Sequence, residues 1–345
     1  VYRQIDQILY SPDVKSRIKV LSTTTHSRPI KKSSSMRWDP NVWVGRKLSI
    51  YTVEKVLGEG GNGYVLKSRG PGGLEVAIKV LKVYSGVADE YFKSLFTEAN
   101  NLIQLSSNPN IVKIYAINID MLVLKEILSG NITYYENNPP MIVMEFMRGG
   151  SLIDLLNEDK FFYSQKWKKA VYKAIKSVAD ALSEMHSLGY VHLDVKPHNV
   201  FLTHKPKDPD DLLNVDFKLG DLGSATRVNE KVLQITPEYA PPEVYIDNTA
   251  KPYIDVFALG MTMYVLFTRS LNRPDLQEVN DAFNCLQMND YSCVKTKVNE
   301  AKRNLSTWDP SVPDEVKQLL KSMLSSDPLS RPTAKDVRDY LSKLI

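Results

Sequence analysis

Three side chains suited to phosphoryl chemistry lie close together in the stretch VHLDVKPHNVFL, residues 191–202. Asp194 can act as a base or orient an acceptor hydroxyl, and Lys196 can neutralise charge on a transferring phosphoryl group. Asn199 can supply an oxygen ligand to a metal ion. We expect His192 to orient this loop from the core, because a histidine in such a setting is more often structural than catalytic.

A second oxygen ligand follows in the stretch KLGDLGSA, where Asp221 lies 22 residues after Asn199. Mg²⁺ is a hard cation that accepts oxygen ligands from separate loops and keeps further positions for water and phosphate. Asn199 and Asp221 therefore predict a magnesium site, with Mn²⁺ as the alternative metal.

A glycine cluster lies upstream of these residues. Gly58, Gly60, Gly63 and Val65 give the pattern G-x-G-x-x-G-x-V between two predicted strands. Glycines there let backbone amides approach phosphate oxygens with no side chain in the way. A plain glycine-rich hairpin explains the pattern equally well if it is taken alone. A dinucleotide-binding fold is disfavoured, because its glycines open a helix and an acid follows about 20 residues later.

The next strand, LEVAIKVLKV, places Lys79 sixteen residues after Gly63, and Glu98 lies nineteen residues further on in a predicted helix. A lysine facing inward from a strand needs an anion, and an acid on a packed helix is a suitable partner. The pair would hold Lys79 against ligand phosphates. An exposed salt bridge is the alternative, and Glu90 is a competing partner with a poorer helical phase.

The surrounding residues predict the scaffold that positions these groups. From Tyr51 onward apolar and polar residues alternate, which predicts antiparallel strands, and residues 89–105 repeat apolar side chains at helical spacing. A polar stretch that contains NITYYENNPP predicts a loop inserted into the small sheet near residues 118–140. After Gly149 the pattern turns helical, with a long amphipathic helix that ends at Gly189. The sequence thus predicts an α+β fold with a sheet-rich N-terminal lobe and a larger, mostly helical C-terminal lobe.

Charge is distributed unevenly along the 345 residues. Residues 1–48 hold ten Lys or Arg against three Asp or Glu, whereas the remainder holds 34 against 37. The basic, Ser/Thr-rich arm at residues 1–47 is interpreted as a linker, a phosphorylation target or a tether to an anionic surface. Because the basic excess is confined to this arm, no nucleic-acid partner is expected.

Two further features limit the location of the protein. The longest apolar run, at residues 254–268, is shorter than the roughly 20 residues that span a bilayer, so no transmembrane segment is expected. No basic stretch within the arm leads into an apolar run of the kind that a secretory signal has, and we expect a cytoplasmic excerpt of a longer chain. Cys285 and Cys293 lack a CxxC motif or a histidine partner, so neither a disulfide framework nor a zinc site is suggested, and a reducing compartment is expected.

Taken in order, the motifs resemble those of eukaryotic-type serine/threonine protein kinases. GEGGNGYV resembles the glycine-rich loop, VAIK the lysine strand, HLDVKPHN the catalytic loop and DLG the metal-binding triplet. MIVMEFMRGG is similar to the hinge, and TPEYAPPE is similar to the end of the activation segment. The resemblance runs from about Leu48 to the C-terminus.

The resemblance implies a bilobal kinase fold with one main helix in the N-lobe, residues 48–148, and a C-lobe at residues 149–345. It implies that Asp194 and Lys196 are catalytic, that Asn199 and Asp221 bind the metal, and that ATP and Mg²⁺ are cofactors. The implied ATP-binding residues are Leu57, Gly58, Glu59, Gly60, Gly61, Asn62, Gly63, Val65, Ala77, Lys79, Glu98, Met144, Glu145, Met147 and Phe201.

The same resemblance assigns supporting roles and substrates. Asp255 is implied to brace the catalytic loop, and Arg331 to pair with Glu243. DVKPHN, together with Thr236 in the substrate-docking segment, resembles the serine/threonine branch, so protein substrates with Ser or Thr acceptors are implied. The serines at residues 33–35 are expected sites of autophosphorylation.

The sequence departs from the family pattern at a few positions. Leu193 replaces the usual Arg, Leu222 the Phe and Pro241 the Ala. Leucine cannot pair with a phosphorylated residue, so we expect Leu193 to pack against apolar neighbours and activity not to require activation-segment phosphorylation. The 118–140 insertion resembles translation initiation factor 2 kinases, which implies such a factor as a substrate. Control is expected through the N-lobe helix, a dimer contact or an upstream region, so a homodimer is a further hypothesis. The stretch GEGGNGYVLK resembles the corresponding stretch of archaeal members of the kinase family.

Two other classes of protein are disfavoured. A small-molecule kinase of related fold usually lacks the elements that carry Glu243 and Arg331. A pseudokinase scaffold would have lost at least one of the residues that are all present here, namely Lys79, Glu98, Asp194, Asn199 and Asp221.

Overall fold

The computed structural model describes residues 38–60, 63–83 and 88–345, with the backbone only at 88–91. They form two compact units. The smaller contains the described residues up to Ser107 together with Lys113–Phe146, and the larger contains Asn108–Val112 and Met147–Ile345. Most of the expected arm, including its serines, lies outside the described residues.

The smaller unit is built on an antiparallel sheet of six strands in the order β1-β2-β3-β4-β6-β5. Alternate side chains of β3 and β4, among them Leu66, Val76, Ile78 and Val80, are fully buried beneath it, as the alternating pattern predicts. The strands are β1 Lys47–Leu48, β2 Tyr51–Glu59, β3 Gly63–Arg69, β4 Glu75–Leu81, β5 Ile114–Asn118 and β6 Met141–Glu145.

The predicted helix of this unit is α1, Ala88–Leu105. Phe92, Leu95 and Leu102 are buried along one side, at the helical spacing that the sequence shows. Phe96, which the apolar pattern also includes, is 55% exposed.

The expected loop at 118–140 is instead largely helical, with α2 at Met121–Leu128 and α3 at Ile132–Asn137. The Asp120 carboxylate caps α2 by accepting hydrogen bonds from the amides of Leu122 and Val123 at 2.8 and 3.2 Å. The Tyr135 hydroxyl donates to the carbonyl of Leu81 at 3.0 Å. The cap on α2 and this buried anchor on α3 explain why the expected loop forms helices.

The end of the expected arm is also part of the fold. Trp43 is fully buried, and its indole N–H donates to the carbonyl of Glu136 at 2.9 Å. The rings of Trp38 and Trp43 lie 5.0 and 5.6 Å from that of Tyr135. Trp43 therefore belongs to the core of the smaller unit, and Trp38 and Val42 pack against that core. This end of the expected arm is folded rather than a free linker.

The larger unit is mostly helical, as predicted. The long helix α6 and the apolar helix α7 supply much of its buried side-chain surface. Two short antiparallel pairs, β7–β10 and β8–β9, frame the loops that carry the candidate site. The helices are α4 Leu152–Leu156, α5 Asp159–Phe162, α6 Trp167–Ser187, α7 Pro252–Thr268, α8 Leu276–Gln287, α9 Tyr291–Ser306, α10 Asp314–Met323 and α11 Ala334–Leu341. The strands are β7 Tyr190–Val191, β8 Val200–Leu202, β9 Phe217–Leu219 and β10 Thr226–Arg227.

A disulfide joins α8 and α9 through Cys285 and Cys293, whose Cα atoms are 5.8 Å apart. The expectation of no disulfide was therefore wrong, because the tight turn between the two helices brings the cysteines together. In the described part of the chain, every helix is too short or too polar to span a bilayer.

Candidate active site

The predicted catalytic residues converge on one carboxylate in the loop between β7 and β8. Asp194 Oδ1 accepts hydrogen bonds from Lys196 Nζ at 2.8 Å and from Thr236 Oγ1 at 2.6 Å. Asn199 Nδ2 donates to Asp194 Oδ2 at 2.8 Å and to the Asp194 carbonyl at 2.7 Å. Lys196 Nζ also reaches Thr236 Oγ1 at 2.9 Å. Four residues spread over 43 positions of the chain are thereby brought together.

The charge state of Asp194 follows from these neighbours. Burial alone would raise the pKa of the carboxyl group, but the Lys196 ammonium and the hydrogen bonds from Lys196 and Thr236 hold that pKa well below its usual range. The group is therefore ionised at neutral pH. So weak a base is better suited to orienting an acceptor hydroxyl than to removing its proton early in a reaction.

Asp255 on α7 braces this loop, as the sequence implied. Its side chain is fully buried, and Oδ2 accepts hydrogen bonds from the His192 amide at 2.7 Å and from His186 Nε2 at 2.8 Å. Oδ1 accepts from the Leu193 amide at 2.8 Å. A buried carboxylate with three donors is satisfied, and it fixes the backbone immediately before Asp194. No motif in the sequence marks His186.

His192 is structural, as expected. It is fully buried, its Nε2 lies 2.9 Å from the Gly220 carbonyl, and its Nδ1 accepts from the Asp194 amide at 3.2 Å. These contacts assign the proton to Nε2. The ring thus connects the residue before Asp221 to the catalytic loop.

Leu193 adopts a left-handed backbone conformation, with φ at +67°. For a non-glycine residue this geometry stores about 1 kcal/mol of strain. The hydrogen bond from the Leu193 amide to the Asp255 carboxylate helps to hold the backbone in this conformation. The side chain is 3% exposed and lines a small cavity with Ile235, Tyr239 and Ile254. The prediction that Leu193 packs against apolar neighbours is confirmed.

The two predicted metal ligands are connected through the backbone. The Gly220 amide donates to the Asn199 carbonyl at 2.7 Å, and Asp221 follows with a left-handed φ of +59°. A Cβ on Gly220 would lie 2.7 Å from the Phe201 ring, so only glycine fits there. Because the amide nitrogen of Asn199 is used by Asp194, its oxygen is the atom suited to a cation. One amide and one carboxylate match the ligand set with which proteins hold Mg²⁺ jointly with phosphates.

The glycine cluster lies on the β2–β3 hairpin of the smaller unit, where Gly61 and Asn62 are outside the described residues. Among the described residues beyond its chain neighbours, no atom comes within 4 Å of a Cβ placed on Gly58, and for Gly60 the nearest is 3.9 Å away. A Cβ on Gly63 would lie 2.4 Å from the Val80 carbonyl oxygen. Open space at the first two glycines suits a phosphate, whereas Gly63 is required by packing against β4.

The other predicted nucleotide residues of the smaller unit follow the sheet register. Lys79 on β4 is opposite Val65 on β3 and Ile142 on β6, and it is 7% exposed. Ala77 is opposite Met144. Leu57 and Glu59 are exposed on β2, and the Glu145 amide donates to the Lys113 carbonyl at 2.8 Å.

Glu98 lies on α1 and accepts a hydrogen bond from Asn101 Nδ2 at 2.9 Å. Its pairing with Lys79 stays a prediction. Met147 and Phe201 belong to the larger unit. The predicted nucleotide residues are therefore divided between the two units.

The Arg331–Glu243 pair implied by the sequence is present and buried. Arg331 Nη1 donates to Glu243 Oε1 at 2.6 Å and Nη2 donates to Oε2 at 3.1 Å, a bidentate contact. Both nitrogens are also near backbone carbonyls, including that of Ser325 at 2.9 Å. The pair fixes the end of the segment that carries Thr236.

Comparisons with known proteins show which family the chain is similar to. A model of the protein kinase domain matches residues 51–340. The chain is 36% identical to the serine/threonine-protein kinase ArnS of Sulfolobus acidocaldarius, over 98% of this chain and 58% of that protein. It is 28% identical to PkaB of Streptomyces coelicolor, covering 88% of this chain and 65% of PkaB. Rat calcium/calmodulin-dependent protein kinase type IV is also 28% identical, over 92% of this chain and 60% of the relative. The chain thus spans less than two thirds of the length of these relatives.

Proposed function

Because this chain belongs to the protein kinase family and its named relatives are serine/threonine kinases, we propose that it transfers the γ-phosphoryl group of ATP to Ser and Thr hydroxyls of proteins. The observation that carries the proposal is the hydrogen-bonded set around Asp194. An ionised carboxylate offers about four acceptor positions. Described side chains fill two on Oδ1 and one on Oδ2, which leaves Oδ2 able to accept from a substrate hydroxyl.

The neighbours of Asp194 have separate roles in this reaction. Thr236 and Lys196 fix the carboxylate from one side, and Asn199 fixes it from the other. Lys196 also brings a positive charge that stabilises the transferring phosphoryl group. The reaction therefore depends on orientation and charge more than on proton abstraction before phosphoryl transfer.

We further propose that the glycine hairpin and Lys79 bind the ATP phosphates, and that Asn199 and Asp221 hold Mg²⁺. The support is the open space at Gly58 and Gly60, and the amide oxygen that the Asn199 contacts leave available. Bound Mg²⁺ supplies positive charge to the phosphates. Mn²⁺ is the alternative metal.

We also propose that activity does not require phosphorylation of the activation segment, residues 221–243. Backbone hydrogen bonds already hold this segment on both sides. The Val228 amide donates to the Gly189 carbonyl at 2.8 Å, and the Val232 amide donates to the Asn248 carbonyl at 3.1 Å. The Arg227 guanidinium also lies over the Tyr190 ring at 5.3 Å. Treating the enzyme with phosphatase should lower its initial rate by less than tenfold; a greater loss would contradict the proposal.

Other proposals concern partners and location. Autophosphorylation of the arm, a translation initiation factor as substrate, a homodimer and a cytoplasmic location all stay predictions. The first is supported by the serines among cations at residues 28–37, and the second by the insertion before β6. Mapping phosphosites after prolonged incubation with ATP tests the first.

The experiment that tests the function and its metal site uses labelled ATP, a mixture of dephosphorylated proteins and a titration of Mg²⁺ or Mn²⁺. Wild type should form phosphoserine and phosphothreonine. Asp221→Asn should need far more metal, whereas Asp216→Asn, which alters an exposed ion pair with Lys173, should titrate as wild type. If no phosphoprotein forms at any concentration of either metal, the proposed function is overturned. Identical metal titrations for Asp221→Asn and wild type would remove Asp221 from the metal site.

A further inference from the structure

A buried arginine outside every motif holds the segment that carries Thr236. Arg273 lies in the connection between α7 and α8 and is 2% exposed. Its Nε and Nη2 donate to the two carboxylate oxygens of Asp275 at 2.7 and 2.6 Å. The guanidinium carbon also lies 4.9 Å from the centre of the Phe257 ring. Carboxylate and ring together fix both the position and the plane of the guanidinium group.

The remaining nitrogen points at the backbone of the substrate-docking segment. Arg273 Nη1 donates to the Ala240 carbonyl at 2.7 Å and approaches the Glu238 carbonyl at 3.2 Å. These carbonyls end a tight turn, in which the Tyr239 and Ala240 amides donate to the Thr236 carbonyl at 3.0 and 3.1 Å. Arg273 therefore holds the far side of the turn that begins at Thr236.

The opposite side of the same turn contacts Asp194 through Thr236 Oγ1 at 2.6 Å. One continuous set of hydrogen bonds thus runs from Asp275 through Arg273 and the turn to the catalytic carboxylate. Replacing a buried ion pair by apolar residues is often nearly neutral for stability, so stability gives little reason for such a pair. Its geometric effect is larger, since a displacement of 1 Å at a reacting group can lower the rate by about 100-fold.

We propose that Arg273, anchored by Asp275, is a positioning residue for the protein substrate. It fixes the backbone of residues 236–240 so that this segment presents a docking surface beside Asp194. The inference rests on the proposed kinase function. Because the contacts of Arg273 are with the substrate-docking segment, its loss should weaken use of the protein substrate and leave use of ATP nearly unchanged.

The test compares Arg273→Met and Arg273→Lys with wild type, using dephosphorylated casein as the substrate probe. For Arg273→Met we expect the KM for casein to rise by about tenfold or more, with the KM for ATP within about twofold of wild type. Arg273→Lys keeps a charge and some donors, so it should fall between the two. Melting temperature is measured for each variant.

Arg269→Lys is the matched control. Arg269 is also buried near the end of α7, and it donates to the Leu156 carbonyl at 2.8 Å and to Asp159 at 2.6 Å, contacts that lie away from the docking turn. It should leave both KM values close to wild type. Equal changes in the two KM values for Arg273→Met, or the same split for Arg269→Lys, would overturn the proposal.

A second readout separates this inference from the proposed function. Amide hydrogen exchange at Tyr239 and Ala240 should be at least about tenfold faster in Arg273→Lys than in Arg269→Lys, because a lysine ammonium cannot reproduce the planar guanidinium that joins Asp275 to the turn. This measurement needs no activity, and it still decides the matter if wild type does not phosphorylate casein or if Arg273→Met does not fold. Unchanged exchange at both amides would overturn the inference.

Discussion

The glycine hairpin of the smaller unit and the catalytic loop of the larger unit carry the predicted chemistry in opposite ways. At Gly58 and Gly60 the backbone is open, and Leu57 beside them is 43% exposed. In the catalytic loop His192 and Asn199 are buried, and their side chains contact the Gly220 carbonyl and the Asp194 carbonyl respectively. Backbone amides that bind a phosphate must stay accessible, whereas a carboxylate that orients a hydroxyl must be held still. The difference predicts that substitutions in the catalytic loop lower turnover. Substitutions of the hairpin glycines should lower the free energy of unfolding only where the added side chain meets packed atoms.

The largest effect is expected for Asp194→Asn, which should lower turnover by roughly 10²- to 10⁴-fold. The amide loses the negative charge that Lys196 and Thr236 now surround. ATP affinity, measured by equilibrium binding, should be nearly unchanged. Retention of more than about a tenth of wild-type turnover would show that the loop does not depend on this carboxylate.

Lys79→Met should lower turnover by roughly 10²-fold or more. The variant lacks the buried ammonium group that would offset the negative charge of the nucleotide phosphates. Lys67→Met is the matched control on the neighbouring strand, where Lys67 pairs with the Glu54 and Glu75 carboxylates at 3.1 and 2.7 Å. Initial rates at saturating ATP are compared. Equal losses for the two variants would mean that any cation of the sheet has the same importance.

The catalytic loop should also make stability depend on pH through His198. Burial, followed by the charge of Lys196, lowers the pKa of His198 to about 4. Its Nδ1 is buried and has no hydrogen-bond partner among the described residues. His198 therefore binds a proton near pH 6.5 in the unfolded chain, whereas in the folded chain it binds that proton only near pH 4. The free energy of unfolding should fall as the pH drops through this window, by about 2 kcal/mol between pH 6.5 and 5.

Urea denaturation across this pH range, with His198→Gln beside wild type, measures the contribution. The variant has no titrating group at this position, so its stability should fall less between pH 6.5 and 5. Parallel curves for the two proteins would mean that other groups cause the dependence.

The smallest effects are expected in the hairpin. Gly63→Ala should lower the free energy of unfolding by about 1 to 2 kcal/mol, because its Cβ would lie 2.4 Å from the Val80 oxygen. Gly58→Ala should change it by less than about 0.5 kcal/mol, because its Cβ meets open space. Denaturation midpoints measure both. A larger loss for Gly58→Ala than for Gly63→Ala would contradict the packing argument.

What the sequence could predict depended on how local the signal was. The spacing of Asp194, Lys196 and Asn199 is fixed within one loop, and the motifs that carry Glu243 and Arg331 are short. The Arg331–Glu243 pair was predicted and is present. The three loop residues were predicted as a group, and the structure adds that Lys196 and Asn199 both contact Asp194. The strand and helix patterns were likewise readable from periodicity.

The misses involve contacts that no short pattern encodes. Trp43 packs against residues some 90 positions away. No local pattern shows this contact, so the arm that contains Trp43 was interpreted as a linker. Cys285 and Cys293 meet only because a turn reverses the chain between two helices. Arg273 contacts backbone carbonyls, which any residue type can supply. Such features depend on the folded arrangement of the chain, and no motif marks them.

The short segment Asn108–Val112 groups with the larger unit although both of its flanks belong to the smaller one. Its carbonyl at Asn110 accepts from the Leu219 amide at 2.7 Å, and its Val112 amide donates to the Leu219 carbonyl at 2.8 Å. Between residues 38 and 345 the polypeptide therefore passes from one unit to the other three times.

A single cut near residue 148 would consequently yield two defective pieces. The C-terminal piece would expose the edge of β9 that residues 110–112 now cover, and an uncovered strand edge invites association with other chains. Split-protein complementation at that position should fail or aggregate, whereas a circular permutant that keeps residues 108–112 covalently joined to both neighbours retains every strand in its place.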